Sequence, residues 1–163
     1  GPRPGGLVPV VIPLAWFMMV YPALHVAHWT VVGPPGKAAL VGLGMVAWDL
    51  ALDPAMTADF AAWEWRQGGI YYGIPIQNYL GWFVTALILA WAYLCIPGNW
   101  RVDTSRMPVA MYLVQSLFPA LLAILYGRPW AAAAWLVALG LLWVVVRRRS
   151  VPGGALSGEA GPA

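Results

Sequence analysis

WDLALDPAMTADFAAWEWRQGGIYYGIPIQNYLGW, Trp48 to Trp82, is the stretch that decides how this chain is read. Four of the six acidic residues lie in it (Asp49, Asp53, Asp59, Glu64), with four of the eleven tryptophans. The sequence on either side is apolar enough to span a bilayer. Charge that is avoided elsewhere and gathered here marks the place where chemistry is expected.

Composition sets the class. Of 163 residues, 61% are hydrophobic and 9% charged, against about 25% charged in a soluble domain. A water-soluble fold is excluded. Lys and Arg exceed Asp and Glu by three, and the excess sits at segment ends. That pattern orients a chain in a membrane rather than binding nucleic acid. The single cysteine, Cys95, rules out an internal disulfide or a thiolate metal cage.

Outward from the central stretch, the chain divides into five apolar spans, of which the second is by itself short of the ~20 residues a hydrocarbon core requires. They cover about 7–32, 38–52, 76–96, 108–126 and 130–146. The expected fold is all-α: a polytopic transmembrane helical bundle in a single domain, 1–149, followed by a disordered Gly/Pro/Ala-rich tail, 150–163. Pro9, Pro13 and Pro22 in the first span are tolerable in lipid when neighbours satisfy the carbonyls they free. Asp53-Pro54 reads as an N-cap and first residue of a short interfacial helix, 54–67, with Met56, Phe60 and Trp63 on one face. Gly68-Gly69 ends it. The opening GPRPGG has no initiator methionine or signal peptide and reads as the middle of a loop. With Arg147 to Arg149 in the cytoplasm, Lys37, Arg101 and Arg106 join them, and Arg3, Arg66 and Arg128 fall outside. That majority of six to three puts the acidic stretch on the outer face.

Within that stretch Asp49 and Asp53 are one helical turn apart and share a face if the helix continues through both. Two such carboxyls in poor solvent do not both ionise readily, which leaves an acid beside a charged base. The plainer alternatives are that Asp53 only caps the next helix and that Asp49 pairs with Arg66 or a tyrosine. DxxxD also holds magnesium and a diphosphate in membrane prenyltransferases. There an Asn usually stands four residues before the first Asp; here Met45 does, without a surrounding Lys/Arg cluster. Trp48, Trp63, Trp65, Tyr71, Tyr72 and Trp82 are candidate walls of a pocket for a greasy or cationic species, each ring contributing roughly 0.5 to 2 kcal/mol to a cation. An interfacial aromatic belt is the alternative. Asn78 is a candidate partner of a substrate hydroxyl or of the Asp pair, or a cap of its own helix. His25 and His28 share a face, with packing, a proton relay and metal ligation as readings. No set of ligands is diagnostic of a metal.

WDLALDPAM, WEW and GIYYGIPIQNYLGW together resemble the membrane-integral carotenoid biosynthesis family that includes the carotenoid 1,2-hydratases and the bisanhydrobacterioruberin hydratases. VPVVIPLAWFMMVYPA is similar to that family too, and the likeness covers most of Val8 to Trp82. Longer members carry helices upstream, so the resemblance implies that this chain lacks N-terminal helices. It implies an integral protein of a bacterial or archaeal cytoplasmic membrane. The implied reaction adds water to the terminal 1,2 double bond of a linear carotenoid, giving a tertiary alcohol with no cofactor. On that reading Asp49 or Asp53 donates the proton, and Glu64 is an alternative acid or the base for water. Trp48, Trp63, Trp65, Tyr71, Tyr72, Asn78, Trp82 and His25 contact substrate. Expected partners are the linear carotenoid, water and the bilayer, with a second copy or other carotenoid enzymes as further candidates and no nucleic acid. A carotenoid cyclase, a prenyltransferase and a non-catalytic carotenoid-binding subunit are the competing readings.

Overall fold

The computed structural model describes residues 10–30, 32–97 and 106–149. They form five α-helices: α1 (Val11–His28), α2 (Pro34–Pro54), α3 (Ile76–Cys95), α4 (Met107–Leu125) and α5 (Pro129–Arg149). All five are long and apolar enough to cross a membrane. The expected all-α bundle of five spans is therefore what the chain forms. The 150–163 tail and most of the loop before α4 lie outside the described residues.

α2 is the axis of the bundle. It packs against each of the other four helices, whereas α1 and α3 touch each other only slightly. Its length exceeds the expected 38–52 at both ends. Gly33 is extended, and Pro34-Pro35 occupy the first helical positions, where a missing N–H costs nothing. At the far end the helix runs through Pro54 and widens into a π turn, Ala55–Asp59. The separate interfacial helix expected over 54–67 does not form. Thr57 Oγ1 bonds back to the Asp53 carbonyl at 2.8 Å, and Ala61 adopts φ 45°, a conformation that ends a helix. Residues 61–65 are then irregular.

The core between α1, α2 and α3 is built largely from small residues. Ala27, Ala38, Ala86 and Ala90 are buried beside Val41 and Met45. Lipid tails are as apolar as leucine, so helices in a bilayer associate by close packing, and small side chains permit it. Gly42 shows how close: a Cβ there would lie 2.8 Å from the Phe83 ring and 3.0 Å from the Phe83 carbonyl oxygen. Gly42→Ala is expected to force α2 and α3 apart at a cost of about 1–3 kcal/mol, read from the unfolding midpoint in detergent. Gly81→Ala, whose added carbon meets open space, is the control and should show no loss.

α4 ends in a Schellman motif. Gly127 takes φ 75°, its N–H donates to Ile124 O at 3.0 Å, and the Arg128 N–H donates to Ala123 O at 2.6 Å, as that motif requires. α5 continues through Arg147 to Arg149, three residues beyond the expected end. Cations suit the negative end of a helix dipole, and the Arg147 guanidinium lies 5.7 Å from the Trp143 ring.

Candidate functional site

Proline chemistry positions the site. Pro54 has no N–H to give the Leu50 carbonyl, four residues back, and an unsatisfied carbonyl in lipid costs several kcal/mol. The Tyr71 hydroxyl donates to that carbonyl at 2.7 Å. Pro119 in α4 likewise frees the carbonyl of Gln115, and Trp48 Nε1 donates to it at 3.1 Å. Two aromatics that the sequence marks as pocket walls thus complete broken helices. Burial, then Tyr72 and Asp49, push the Tyr71 phenol well above its ordinary range, so it remains a donor. Tyr71→Phe is expected to destabilise the protein by about 1–3 kcal/mol. Adding Pro54→Ala, which restores the missing N–H, should recover part of that loss in a double-mutant cycle of unfolding free energies.

Tyr71 reaches α2 because its loop turns tightly. Tyr72 and Gly73 both take positive φ, 52° and 77°, and the Ile74 N–H donates to Tyr71 O at 2.9 Å. This is a type I′ turn, which demands a left-handed backbone at both central residues. Tyr72 packs edge-on against Tyr71, ring centroids 4.9 Å apart.

The continuous helix through Pro54 places Asp49 and Asp53 on one face, both fully buried. Asn78, in the first turn of α3, joins them. Its Nδ2 donates to Asp49 Oδ2 at 2.9 Å and to Asp53 Oδ2 at 2.6 Å, one amide proton for each carboxyl. Trp63 Nε1 donates to Asp53 Oδ1 at 2.8 Å and ties the irregular segment back to α2. Trp65 Nε1 is buried with no hydrogen-bond partner among the described residues. Three of the four carboxyl oxygens therefore accept an N–H bond. The fourth, Asp49 Oδ1, is buried with no partner among the described residues. The capping role for Asp53 falls, because no helix begins there. Asn78 does not cap α3, which starts from an extended Pro75 with no side-chain cap bond.

Beside this triad lies an open groove of about 510 Å³, walled by Trp16, Trp48, Trp63, Trp65 and Trp82, with Glu64 and Asn78 on its lining. Trp16 stacks on Trp82 at 4.4 Å and 12°, and Trp48 meets Trp82 edge-on at 5.6 Å. Glu64 is the acid that lines the groove. Asp49 and Asp53 do not; they sit one bond behind, screened by their partners Asn78 and Trp63.

The structure thus gathers Asp49, Asp53, Glu64, Trp48, Trp63, Trp65, Asn78 and Trp82 in one place. Tyr71 and Tyr72 support it from the adjacent turn without lining the groove. His25 is not brought to it. It lies nine residues beyond Trp16 on α1, about 13 Å along the axis, with Nδ1 bonded to Tyr21 O at 3.0 Å and its ring 4.4 Å from that of Tyr21. Trp16 is the wall residue that sequence reasoning missed. It stands in an apolar span with no charge nearby, and only its stacking on Trp82 reveals it. Among the described residues no group of three or more His, Cys, Asp or Glu side chains is arranged to hold a metal.

No curated protein and no solved structure matches the chain. A family model described as carotenoid biosynthesis protein matches residues 1–145, which takes in all five helices nearly to the end of α5 and every residue of the site. A buried carboxyl pair beside a tryptophan-walled groove in a five-span bundle is consistent with that match, and the chain belongs to the carotenoid biosynthesis protein family.

Proposed function

We propose that the chain hydrates the terminal double bond of a linear carotenoid. The observation that carries this reading is the carboxyl pair bridged by Asn78 immediately behind a tryptophan-walled groove. A proton from the pair adds to C-2 of the end group and leaves a tertiary cation at C-1. Faces of Trp16, Trp48, Trp63 and Trp82 stabilise that cation by roughly 0.5–2 kcal/mol per contact. Water adds to C-1 and gives up a proton to Glu64 at the groove. One proton is consumed and one released, so the net change is the gain of one water and no redox partner is required. Trp63 is the screen between groove and pair, and it sits on an irregular segment rather than a helix. Its displacement opens the pair on the Asp53 side, and a shift of Asn78 brings the alkene to Asp49. Of the two carboxyls, Asp49 is the donor, because its Oδ1 is held by no other group among the described residues.

Incubation of the full chain in nanodiscs with an acyclic carotene and ¹⁸O-labelled water tests this. Hydration gives a product heavier by one labelled water per modified end. An isomer of unchanged mass would instead identify a cyclase, in which an alkene traps the same cation. One observation favours a second reading, a carotenoid-binding membrane subunit without turnover: Asn78 and Trp63 wall the carboxyls from the groove. Stable binding of the carotene with no new product would establish it. For the prenyltransferase reading, three of the four oxygens of the DxxxD carboxyls already accept N–H bonds, so magnesium would compete there with Asn78 and Trp63.

A further inference from the structure

The tryptophan-walled groove does not end at Trp16. A second groove of about 500 Å³ shares Ile12 and Trp16 with it and continues between α1 and α3, past Phe17 and Tyr21 on one side and Thr85, Leu89 and Tyr93 on the other. It exists because both helices pack on α2 while barely meeting each other. From Ile12 to Leu24 it follows α1 for about 18 Å, along the direction in which the helix crosses the membrane.

We propose that this α1–α3 groove seats the body of a rigid, planar, conjugated polyene whose end group lies against the tryptophan wall. The proposal rests on the hydratase reading for the identity of the end group, and on its own geometry for the rest. Three features favour a polyene over a lipid acyl chain. The groove is continuous with the site through Trp16. Its wall carries a run of aromatic rings, Trp16, Phe17 and Tyr21 on α1 and Tyr93 on α3. Such rings suit a flat π chain, and a rigid ligand loses little conformational freedom on binding, whereas a flexible acyl chain loses much. The groove also runs across the bilayer, so a long apolar molecule reaches the site while its remainder stays at hydrocarbon depth. The groove, rather than the end-group site, then sets the preference for long chains.

The test uses the full chain in phosphatidylcholine nanodiscs titrated with an acyclic carotene. An achiral polyene held in an asymmetric site acquires visible circular dichroism, which reports binding without turnover. The unmodified chain is expected to give a saturable signal. The double variant Thr85→Phe/Leu89→Phe fills the groove from exposed positions of α3 and should weaken apparent affinity by at least about tenfold, the loss of a few buried methylene contacts. It should also lower the ratio of affinities for long over short acyclic isoprenoids. Leu141→Phe, on α5 outside both grooves, should change neither. Equal affinity in the groove variant overturns the proposal, as does absence of a signal from the unmodified chain. A variant that leaves the signal intact but reduces tryptophan quenching by bromine-labelled phosphatidylcholine shows a lipid seat instead, and also overturns it. A native chain that binds the polyene yet forms no hydrated product overturns the hydratase reading and leaves the groove assignment standing.

Discussion

Asp49→Asn is expected to lower carotenoid hydration by about 10²- to 10⁴-fold, the usual contribution of a positioned acid, while the unfolding midpoint barely moves. The hydrogen-bond pattern makes this substitution a test of chemistry alone. Asp49 accepts one bond, at Oδ2 from Asn78, and its other oxygen has no partner among the described residues. An asparagine keeps a carbonyl oxygen for Asn78 and turns its amide nitrogen toward the unpartnered side. One buried orphan replaces another, so the change in stability should be within about 1 kcal/mol. Product formation by mass spectrometry and thermal unfolding of the same sample read the two effects separately. If hydration persists undiminished in Asp49→Asn, the acid is not Asp49, and Asp53 or Glu64 supplies the proton.

Asp53→Asn should behave differently, losing both activity and stability. Both oxygens of Asp53 accept: Oδ1 from Trp63 and Oδ2 from Asn78. Whichever way an asparagine is turned, its amide nitrogen faces another N–H. One bond is lost and two donors are pressed together in a buried site, at about 1–3 kcal/mol or more. Asn78 relieves the clash at Asp53→Asn if it flips, but its oxygen then meets Asp49. In Asp49→Asn/Asp53→Asn the flipped Asn78 can accept from both amides. The double variant should therefore be more stable than the sum of the two single losses predicts, with a coupling of order 0.5–3 kcal/mol. Strict additivity in the unfolding free energies would mean that the Asn78 bridge does not link the two carboxyls.

These contrasts also separate the roles of the tryptophans. Trp63 holds Asp53 and forms groove wall; Trp48 forms groove wall and completes α4 at Gln115. An interfacial belt needs only an aromatic at the right depth. Trp48 and Trp63 have specific acceptors, and Trp16, Trp48 and Trp82 pack on one another.

The sequence by itself determined the five spans, because length and hydropathy are local properties and each span is bounded by Pro, Gly or charge. It also brought together Asp49, Asp53 and Asn78 as candidates, since unpaired polar groups are costly in lipid and stand out against an apolar chain. What it could not determine was the path after Asp53. Asp-Pro is a fair helix start by local rules, yet here the helix passes straight through. Tyr71, twenty-one residues away, satisfies the carbonyl that Pro54 frees, and no local pattern announces that contact. The same tertiary bond network turned Asp53 from a cap into half of a carboxyl pair, removed His25 from the site and brought in Trp16 from another helix. A helix in lipid is local as long as its backbone bonds are its own; where proline breaks them, the partner is chosen by the fold.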